Sequence, residues 1–363
     1  MKLLTNQKNL KRALNIVERV VSKNNSLPIL NNILLKTENG RLKVSATNLE
    51  IGINCFIGSK IEEVGQIAVP ARIFSDFIGN VTDEKVAITT KNNILSIDSD
   101  KYKTQILSFD AKDFPIIPKI KDNSFGSISA KTLRESLTAV FDSVALSETR
   151  PELAGVAVNF NKNNTVFAST DSFRLTEKIV DLKNNKEQSI ILPRNTAAEL
   201  IRISNDLDGD IRLYMNDNQI AFANDDIEII SRVIDGNYPD YKKVIPEKFI
   251  SRVLVNKSDL EKNVKLTGIF SSNISDIKIK CMEDKIKLIS KNSDKGEIEA
   301  ETEGVLKNDP FEISLNYHYL LDGLKVINTD KVVVEFTGQN SPLVLRQGDG
   351  SKNIVYLIMP LRS

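Results

Sequence analysis

Most of this chain alternates between apolar and polar positions with a period of two. Clear examples are residues 41–46, 85–90, 210–215, 283–289 and 331–336. Each stretch has about the length of a strand and is bounded by Asn, Asp or Gly. Pairs such as Asn39-Gly40 and Asn92-Asn93 between such stretches are typical of hairpin loops. The pattern therefore predicts a chain built mainly from antiparallel strands.

Six segments have a helical period instead. Apolar residues recur there every three or four positions, so that one face of each predicted helix is apolar and the other is polar. The predicted helices lie near residues 8–22, 71–81, 130–145, 194–205, 257–267 and 317–328. The fold class expected from both patterns is α+β.

The six helices recur in pairs at a fixed distance, which indicates an internal repeat. Val69-Pro70, Leu192-Pro193 and Leu315-Asn316 each precede the second helix of a pair, and 192 − 69 and 315 − 192 are both 123 residues. Leu10, Leu133 and Leu260 mark the first helices, 123 and 127 residues apart. We therefore predict three similar domains, at residues 1–120, 127–247 and 248–363, each with two helices packed on antiparallel sheets.

Charge is balanced over the whole chain but not along it. There are 49 Lys and Arg residues against 48 Asp and Glu residues, a net charge of +1. On the first helix Lys8, Arg12 and Arg19 share one polar stripe, and other helices also carry basic residues on their polar faces. A solvated helix face is the alternative for any one residue. Basic helices in a nearly neutral chain suit contact with a phosphate backbone without reading of bases.

Little in the sequence indicates catalysis. His318 is the only histidine, and no phosphate-binding or metalloprotease motif is present. Residues 206–210 resemble the start of a calcium loop, but a helix-to-strand turn explains them better because the closing carboxylate is missing. Cys55 and Cys281 are far apart in the sequence, which fits a reducing compartment. We expect a cytoplasmic protein that is not an enzyme, with no catalytic residue, metal or cofactor.

Six separate segments then resemble the bacterial DNA polymerase III beta subunit family, the sliding clamps, in order and from end to end. They are residues 26–35 (SLPILNNILL), 46–50 (ATNLE) with 69–72 (VPAR), 170–175 (TDSFRL), 235–241 (DGNYPDY) and 359–362 (MPLR). The resemblance implies three clamp domains per chain and two chains that dimerise head-to-tail into a six-domain ring. It also implies a processivity factor that encircles duplex DNA, slides on it and tethers its partners. The implied partners are double-stranded DNA bound independently of sequence, the polymerase III alpha subunit, the clamp loader, other replication and repair proteins, and a second copy of the chain.

The basic helix faces and the resemblance together give three sets of expected site residues, the pocket and the dimer contacts being implied by the resemblance. The expected DNA contacts are Lys8, Arg12, Arg19, Lys23, Asn24, Arg72, Arg134, Arg150, Arg194 and Arg202. The expected hydrophobic peptide pocket consists of Leu153, Thr170, Ser172, Phe173, Arg174, Leu175, Pro239, Lys243, Val244, Leu357, Met359, Pro360, Leu361 and Arg362. The expected dimer interface places Ile106 near Ile269 and Phe270.

Two pocket positions depart from the family pattern. Phe173 stands where the family often has histidine, and Lys243 stands where arginine is common. The first change makes the pocket more apolar, and the second removes a planar group that can donate two parallel hydrogen bonds. Two other functional classes stay open at this point: a peptide-binding scaffold with no role on nucleic acid, and a hydrolase with an unrecognised carboxylate site. The repetition of basic helices favours the clamp over both.

Overall fold

We analysed a computed structural model of the chain, which describes residues 1–21, 27–120, 124–147, 149–216 and 218–361. The described residues form six α-helices and 24 β-strands. The helices are α1 (Gln7–Val17), α2 (Ala71–Asn80), α3 (Ala130–Phe141), α4 (Arg194–Ile203), α5 (Lys257–Gly268) and α6 (Tyr317–Val326). All six lie where the helical period predicts them.

The strands have the short lengths and hairpin order that the alternation predicts. In the first half of the chain they are β1 (Lys2–Asn6), β2 (Asn32–Glu38), β3 (Arg41–Thr47), β4 (Ile51–Glu63), β5 (Gln66–Pro70), β6 (Lys85–Lys91), β7 (Ile94–Asp98), β8 (Lys103–Leu107), β9 (Gly126–Ser129), β10 (Gly155–Phe160), β11 (Asn164–Thr170) and β12 (Arg174–Asp181). In the second half they are β13 (Gln188–Pro193), β14 (Asp210–Met215), β15 (Gln219–Ala223), β16 (Ile227–Arg232), β17 (Ser251–Asn256), β18 (Asp276–Met282), β19 (Lys285–Asn292), β20 (Gly296–Lys307), β21 (Phe311–Asn316), β22 (Lys331–Phe336), β23 (Leu343–Gln347) and β24 (Ile354–Ile358).

The chain divides into two compact units. The first unit contains Met1–Ala130 and Asp206–Val233, and the second contains Lys131–Asn205 and Ile234–Ser363. Each unit holds one 12-stranded sheet. The first sheet has the order β8-β7-β6-β1-β4-β16-β15-β14-β9, with β3, β2 and β5 continuing from β4. The second has the order β13-β10-β11-β12-β24-β23-β22-β17-β20-β19-β18-β21.

Each sheet runs across one boundary between the predicted repeats. In the first unit β16 pairs antiparallel with β4, from Ile227 opposite Cys55 to Ser231 opposite Ile51. In the second unit β24 pairs antiparallel with β12, from Ile354 opposite Lys178 to Ile358 opposite Arg174. In both places the last strand of one repeat extends the fourth strand of the repeat before it. This continuity explains why β14–β16, from the middle predicted domain, lie in the sheet of the first unit.

The helices pack on the sheets through their apolar faces. Helix α1 lies against β3 and β4 and beside α2, while α5 lies against β19 and β20 and beside α6. Asn6, Asn256 and Asn316 cap α1, α5 and α6, each with a side-chain oxygen that accepts a backbone N–H of the first turn. In the second unit α5, α6 and the surrounding strands enclose a core that includes Leu260, Leu324 and Tyr356.

Candidate functional site

A cavity of about 240 Å³ opens on the surface of the second unit. Its walls come from the 3-10 turn at Pro151–Leu153, the β11–β12 turn, the segment from Pro239 to Val244, and the end of β24. The lining residues are Arg150, Leu153, Thr170, Ser172, Arg174, Leu175, Pro239, Asp240, Tyr241, Val244, Leu357 and Met359. The walls are therefore mainly apolar with a few charged groups at the edge, as in pockets that bind the apolar side chains of a peptide.

The turn between β11 and β12 forms one wall and is held by its own polar side chains. The Oδ1 atom of Asp171 accepts the backbone N–H groups of Phe173 and Arg174, at 2.9 and 3.0 Å. The hydroxyl of Thr170 donates to the carbonyl of Arg174 at 2.7 Å. Ser172 takes a left-handed backbone conformation with φ of 77°. These bonds give the wall a defined shape.

Arg174 connects this turn to helix α6. Its Nε donates to Oδ2 of Asp171 at 2.9 Å, and its Nη1 donates to Oδ2 of Asp322 at 2.5 Å. The guanidinium group also stacks on the ring of Tyr319, 4.5 Å from its centroid. Burial alone lowers the pKa of Arg174, but Tyr356, Asp171 and Asp322 outweigh that effect and raise it. Arg174 is therefore a fixed cation at the edge of the pocket.

The floor of the pocket is a small apolar cluster between β-strands and the segment from Pro239 to Val244, which we call the linker. It includes Ala168, Leu175, Tyr241, Val344 and Leu357, all buried. The Tyr241 hydroxyl donates to Oε2 of the buried Glu177 at 2.7 Å. Burial first, and then the Glu177 carboxylate, raise the pKa of Tyr241.

The segment after β24 closes the pocket on its remaining side. The backbone N–H of Met359 donates to the carbonyl of Phe173 at 2.8 Å, and that of Leu361 donates to the carbonyl of Ser314 at 2.9 Å. These two bonds tie the segment to the β11–β12 turn and to β21. Met359 lines the cavity as a result.

The structure brings nine of the fourteen predicted pocket residues to the cavity wall. They are Leu153, Thr170, Ser172, Arg174, Leu175, Pro239, Val244, Leu357 and Met359. Phe173, Lys243, Pro360 and Leu361 do not line the cavity, and Arg362 lies outside the described residues. Phe173 is 61% exposed at the tip of the turn, and Lys243 is paired with Asp240 at 3.1 Å.

Three lining residues were not among the predicted pocket set. Arg150, predicted as a DNA contact, lies at the cavity edge and pairs with Glu152 at 3.1 Å. Asp240 and Tyr241 belong to the linker whose Pro239, Lys243 and Val244 were predicted. The sequence contained a signal for Tyr241, because its aromatic ring stands next to the Pro-containing joint at Pro239 and can form the base of a groove there.

The predicted DNA contacts fall into two groups. Lys8, Arg12, Arg19 and Arg72 have exposed side chains on or just after α1 and α2 of the first unit, and of these Arg12 also donates to the carbonyl of Asp206 at 2.6 Å. In the second unit three of the arginines make contacts within the protein. Arg134 donates to Asn205 at 3.0 Å, Arg194 donates to the carbonyls of Phe141 and Val144 at 3.3 Å, and Arg202 pairs with Glu199 at 2.7 Å. Lys23 and Asn24 lie outside the described residues.

The predicted dimer contacts lie in both units: Ile106 is in the edge strand β8, and Ile269 and Phe270 directly follow α5. Ile106 is buried in its own sheet, whereas the next residue of β8, Leu107, is 78% exposed. Ile269 is exposed just after α5. The ring of Phe270 lies 3.9 Å from where a Cβ on Gly296, the first residue of β20, would stand.

The described part of the chain offers no group of three or more His, Cys, Asp or Glu side chains arranged to hold a metal ion. In the same residues, no helix is long and apolar enough to span a membrane. Asp208 and Asp210 line a shallow polar depression with Asp225 and Asp226.

Comparisons with known proteins account for nearly the whole chain. Three family sequence models match it: the N-terminal domain of the DNA polymerase III beta subunit at residues 1–118, the central domain at 127–240, and the C-terminal domain at 242–362. The chain belongs to the DNA polymerase III beta subunit family. Its function is that of a DNA sliding clamp, a processivity factor, and the clamps of this family are non-catalytic.

Individual relatives agree with this family. The beta sliding clamp of Staphylococcus epidermidis is 27% identical over 96% of this chain and 96% of that protein, and the clamp of Staphylococcus aureus is 26% identical. The crystal structure of the Bacillus subtilis sliding clamp superimposes with a TM-score of 0.96 at 25% identity, covering 100% of this chain and 99% of that chain. The Thermotoga maritima beta subunit gives a TM-score of 0.93 at 25% identity, over 100% of this chain and 99% of that one. The three-domain clamp fold predicted from the sequence is confirmed.

Proposed function

We propose that two copies of this chain close head-to-tail into a ring around duplex DNA, and that the pocket of each copy holds a peptide of a polymerase or clamp loader. In this proposal the three domains have the boundaries predicted above, and the protein works in the cytoplasm without catalysing a reaction. The observation that carries the proposal is the register at the two repeat junctions, which defines a third junction between copies.

The two observed junctions use equivalent residues. Ser231 of β16 and Ile358 of β24 hold the same position in their repeats, as do their partners, Ile51 of β4 and Arg174 of β12. The third pair of equivalent strands is β8 with β20. Transferring the register places Ile106 opposite Gly296, and Lys103 opposite Glu299.

Both strands of the third pair have an available edge. Among the described residues β8 pairs only with β7, and β20 uses Gly296–Glu303 for β19 and Gly304–Lys307 for β17. An unpaired strand edge is a template for another chain. Because β8 and β20 lie in different repeats, the contact is head-to-tail, and we propose that it closes after two copies. In the transferred register Ile106 would lie beside Gly296 and near the ring of Phe270, which agrees with the contact that the family resemblance implies.

The exposed basic residues support sequence-independent contact with DNA. Lys8, Arg12, Arg19 and Arg72 project from helices that have no helix-turn-helix or zinc-finger arrangement for entering a groove. Lys23, Asn24, Arg134, Arg150, Arg194 and Arg202 remain in the proposed set. Phosphate contacts of this kind give weak binding that depends on salt and permits sliding.

The ring itself, and not tight binding, would keep the clamp on DNA. The decisive experiment loads the clamp on nicked circular DNA with a clamp loader and follows the retained protein at low and high salt, before and after the circle is cut. We expect retention on circles at salt concentrations that remove the protein from linear DNA. Equal loss from circular and linear DNA would exclude the ring.

The pocket is tested separately by peptide binding. A labelled peptide from the polymerase III alpha subunit of the same genome should bind the chain, and replacing Leu357 and Met359 by serine should abolish that binding. As a control, replacing Ile274 and Met282, exposed apolar residues far from the lining residues in the sequence, by serine should have no effect on binding, and a melting temperature for both variants shows that the chain stays folded. Unchanged binding by the Leu357 and Met359 variant would place the peptide elsewhere.

A further inference from the structure

The ion pair between Arg174 and Asp322 joins the pocket to a residue that does not line it. Asp322 lies on α6, and only 20% of its side chain is exposed, against 14% for Arg174. One carboxylate oxygen of Asp322 accepts from Arg174, and the other accepts from Lys325 at 2.7 Å. A carboxylate this well enclosed holds its partner more firmly than a surface pair does, because solvent screens it less.

The first repeat contains a natural control for this arrangement. Its β3–β4 turn makes the same hydrogen bonds: Oδ1 of Asn48 accepts from Glu50 and Ile51, and the Thr47 hydroxyl donates to the carbonyl of Ile51. Leu49 has φ of 76°, against 77° at Ser172. In that turn, however, Ile51 occupies the position of Arg174. The turn therefore forms without an arginine.

In the β11–β12 turn, Asp171 makes one more contact than Asn48 makes in the β3–β4 turn. Asn48 supplies one oxygen to the turn, and that suffices to form it. Asp171 supplies the same oxygen and uses its second oxygen for Arg174. Two carboxylates, Asp171 of the same turn and Asp322 of α6, and the face of Tyr319 of α6 are thus directed at one guanidinium group that lines the pocket.

We propose that Asp322 is a positioning residue for the peptide pocket: it fixes the Arg174 side chain at the pocket edge, where the guanidinium group forms part of the wall that receives the peptide. This inference rests on the proposed peptide-binding function. Without the Asp322 carboxylate the guanidinium group keeps Asp171 on its own turn and the ring of Tyr319, and it is held less firmly at the pocket edge. Peptide binding must then restrict the side chain again, which costs affinity.

The test measures binding of the labelled alpha-subunit peptide by fluorescence anisotropy in the full-length protein. Asp322→Asn keeps the shape of the side chain but removes its charge, and we expect the Kd to rise about tenfold, in the range of mutations that act through a connected network. Asp322→Glu, which restores the charge, should recover most of the affinity. Lys325→Met removes the other partner of Asp322 and should leave the Kd unchanged.

A double-mutant cycle shows whether Asp322 acts through Arg174. In an Arg174→Ala background, removal of the Asp322 charge should have no further effect on the Kd. Equal losses with Asp322→Asn in both backgrounds would overturn the inference, as would an unchanged Kd for Asp322→Asn alone. A melting temperature measured for every variant separates loss of folding from loss of positioning. Failure of the wild-type chain to bind the peptide would instead overturn the proposed function.

Discussion

Tyr241 illustrates how single residues under the pocket combine stability with shape. Its ring belongs to the apolar floor, while its hydroxyl is the donor to the buried Glu177 carboxylate. A buried carboxylate that loses its donor is left without compensation for its lost hydration. The hydroxyl of Tyr241 therefore contributes to the stability of the fold, and its ring contributes to the shape of the pocket.

The variant Tyr241→Phe separates these two roles. It keeps the ring and removes the hydroxyl, so we expect the free energy of unfolding to fall by about 1–3 kcal/mol. Peptide affinity should change by less than about threefold, since the lining surface is preserved. Urea denaturation and peptide titration measure the two quantities. A large loss of affinity with unchanged stability would contradict this division.

The residues of the pocket could be predicted only where the family resemblance supplied them. The motif at 170–175 supplied Thr170, Ser172, Arg174 and Leu175, which line the cavity. Arg150 was expected to contact DNA, and its place at the cavity edge was not predicted because the sequence shows its charge but not its neighbours. Asp322 left no signal in the motif, since its contact with Arg174 spans 148 positions along the chain.

At the scale of secondary structure, periodicity predicted the elements and the structure supplied their ends and partners. The first helix was expected to reach residue 22, but α1 ends at Val17 and Glu18–Val20 continue as a 3-10 turn. The third was expected to reach residue 145 and ends at Phe141. Pairings such as β16 with β4 are distant in sequence, so no local pattern could reveal them.

Helix α6 packs closely on β24, and a glycine makes that packing possible. A Cβ added at Gly323 would lie 2.5 Å from the Tyr356 ring and 2.7 Å from Leu345. Gly323→Ala should therefore destabilise the chain by about 1–3 kcal/mol, the usual result of overpacking a core. Thermal or urea denaturation provides the measurement.

The matched control is a glycine in a helix with space around it. Gly79 of α2 has no atom within 4 Å of an added Cβ. There the change to alanine should stabilise by up to about 1 kcal/mol, because alanine favours the helix. If both substitutions had the same effect, helix propensity and not packing would determine the cost at Gly323.

At the scale of the whole molecule, the net charge of +1 conceals an ordered distribution. In the second unit, Glu297, Glu299 and Glu301 of β20 pair with lysines of β19. The exposed lysine and arginines of α1 and α2 lie in a different part of the chain. Composition could not predict this arrangement, because it depends on which strands become neighbours.

Two arginines with different surroundings test the proposed DNA contacts. Arg72 has a side chain that is 91% exposed, with Asp76 only at 3.8 Å, whereas Arg194 is bonded to two carbonyls and stacks on Phe141. Arg72→Ala should weaken DNA binding equally for all sequences and leave the melting temperature unchanged. The slope of log affinity against log salt concentration should become shallower by about one unit, as expected for the loss of one phosphate contact. Arg194→Ala should lower the melting temperature as well. A preference for one duplex sequence would contradict contact through phosphates alone.

The proposed closure between copies can be tested by its register. Lys103 of β8 should lie opposite Glu299 of β20 in the second copy, and each residue now pairs within its own sheet, with Asp98 and Lys287. Opposite charges on directly facing residues stabilise antiparallel strands, like charges destabilise them, and diagonal neighbours interact less. Lys103→Glu should therefore weaken the dimer about tenfold, because a ring contains this contact twice. Adding Glu299→Lys should restore the dimer more completely than adding Glu297→Lys or Glu301→Lys. Sedimentation at nanomolar protein concentration measures each equilibrium.

Two outcomes would contradict this closure. If the three glutamate-to-lysine changes restored the dimer equally, the strands would attract through overall charge and the transferred register would be wrong. If Lys103→Glu had no effect on the dimer, β8 would not form the closing edge.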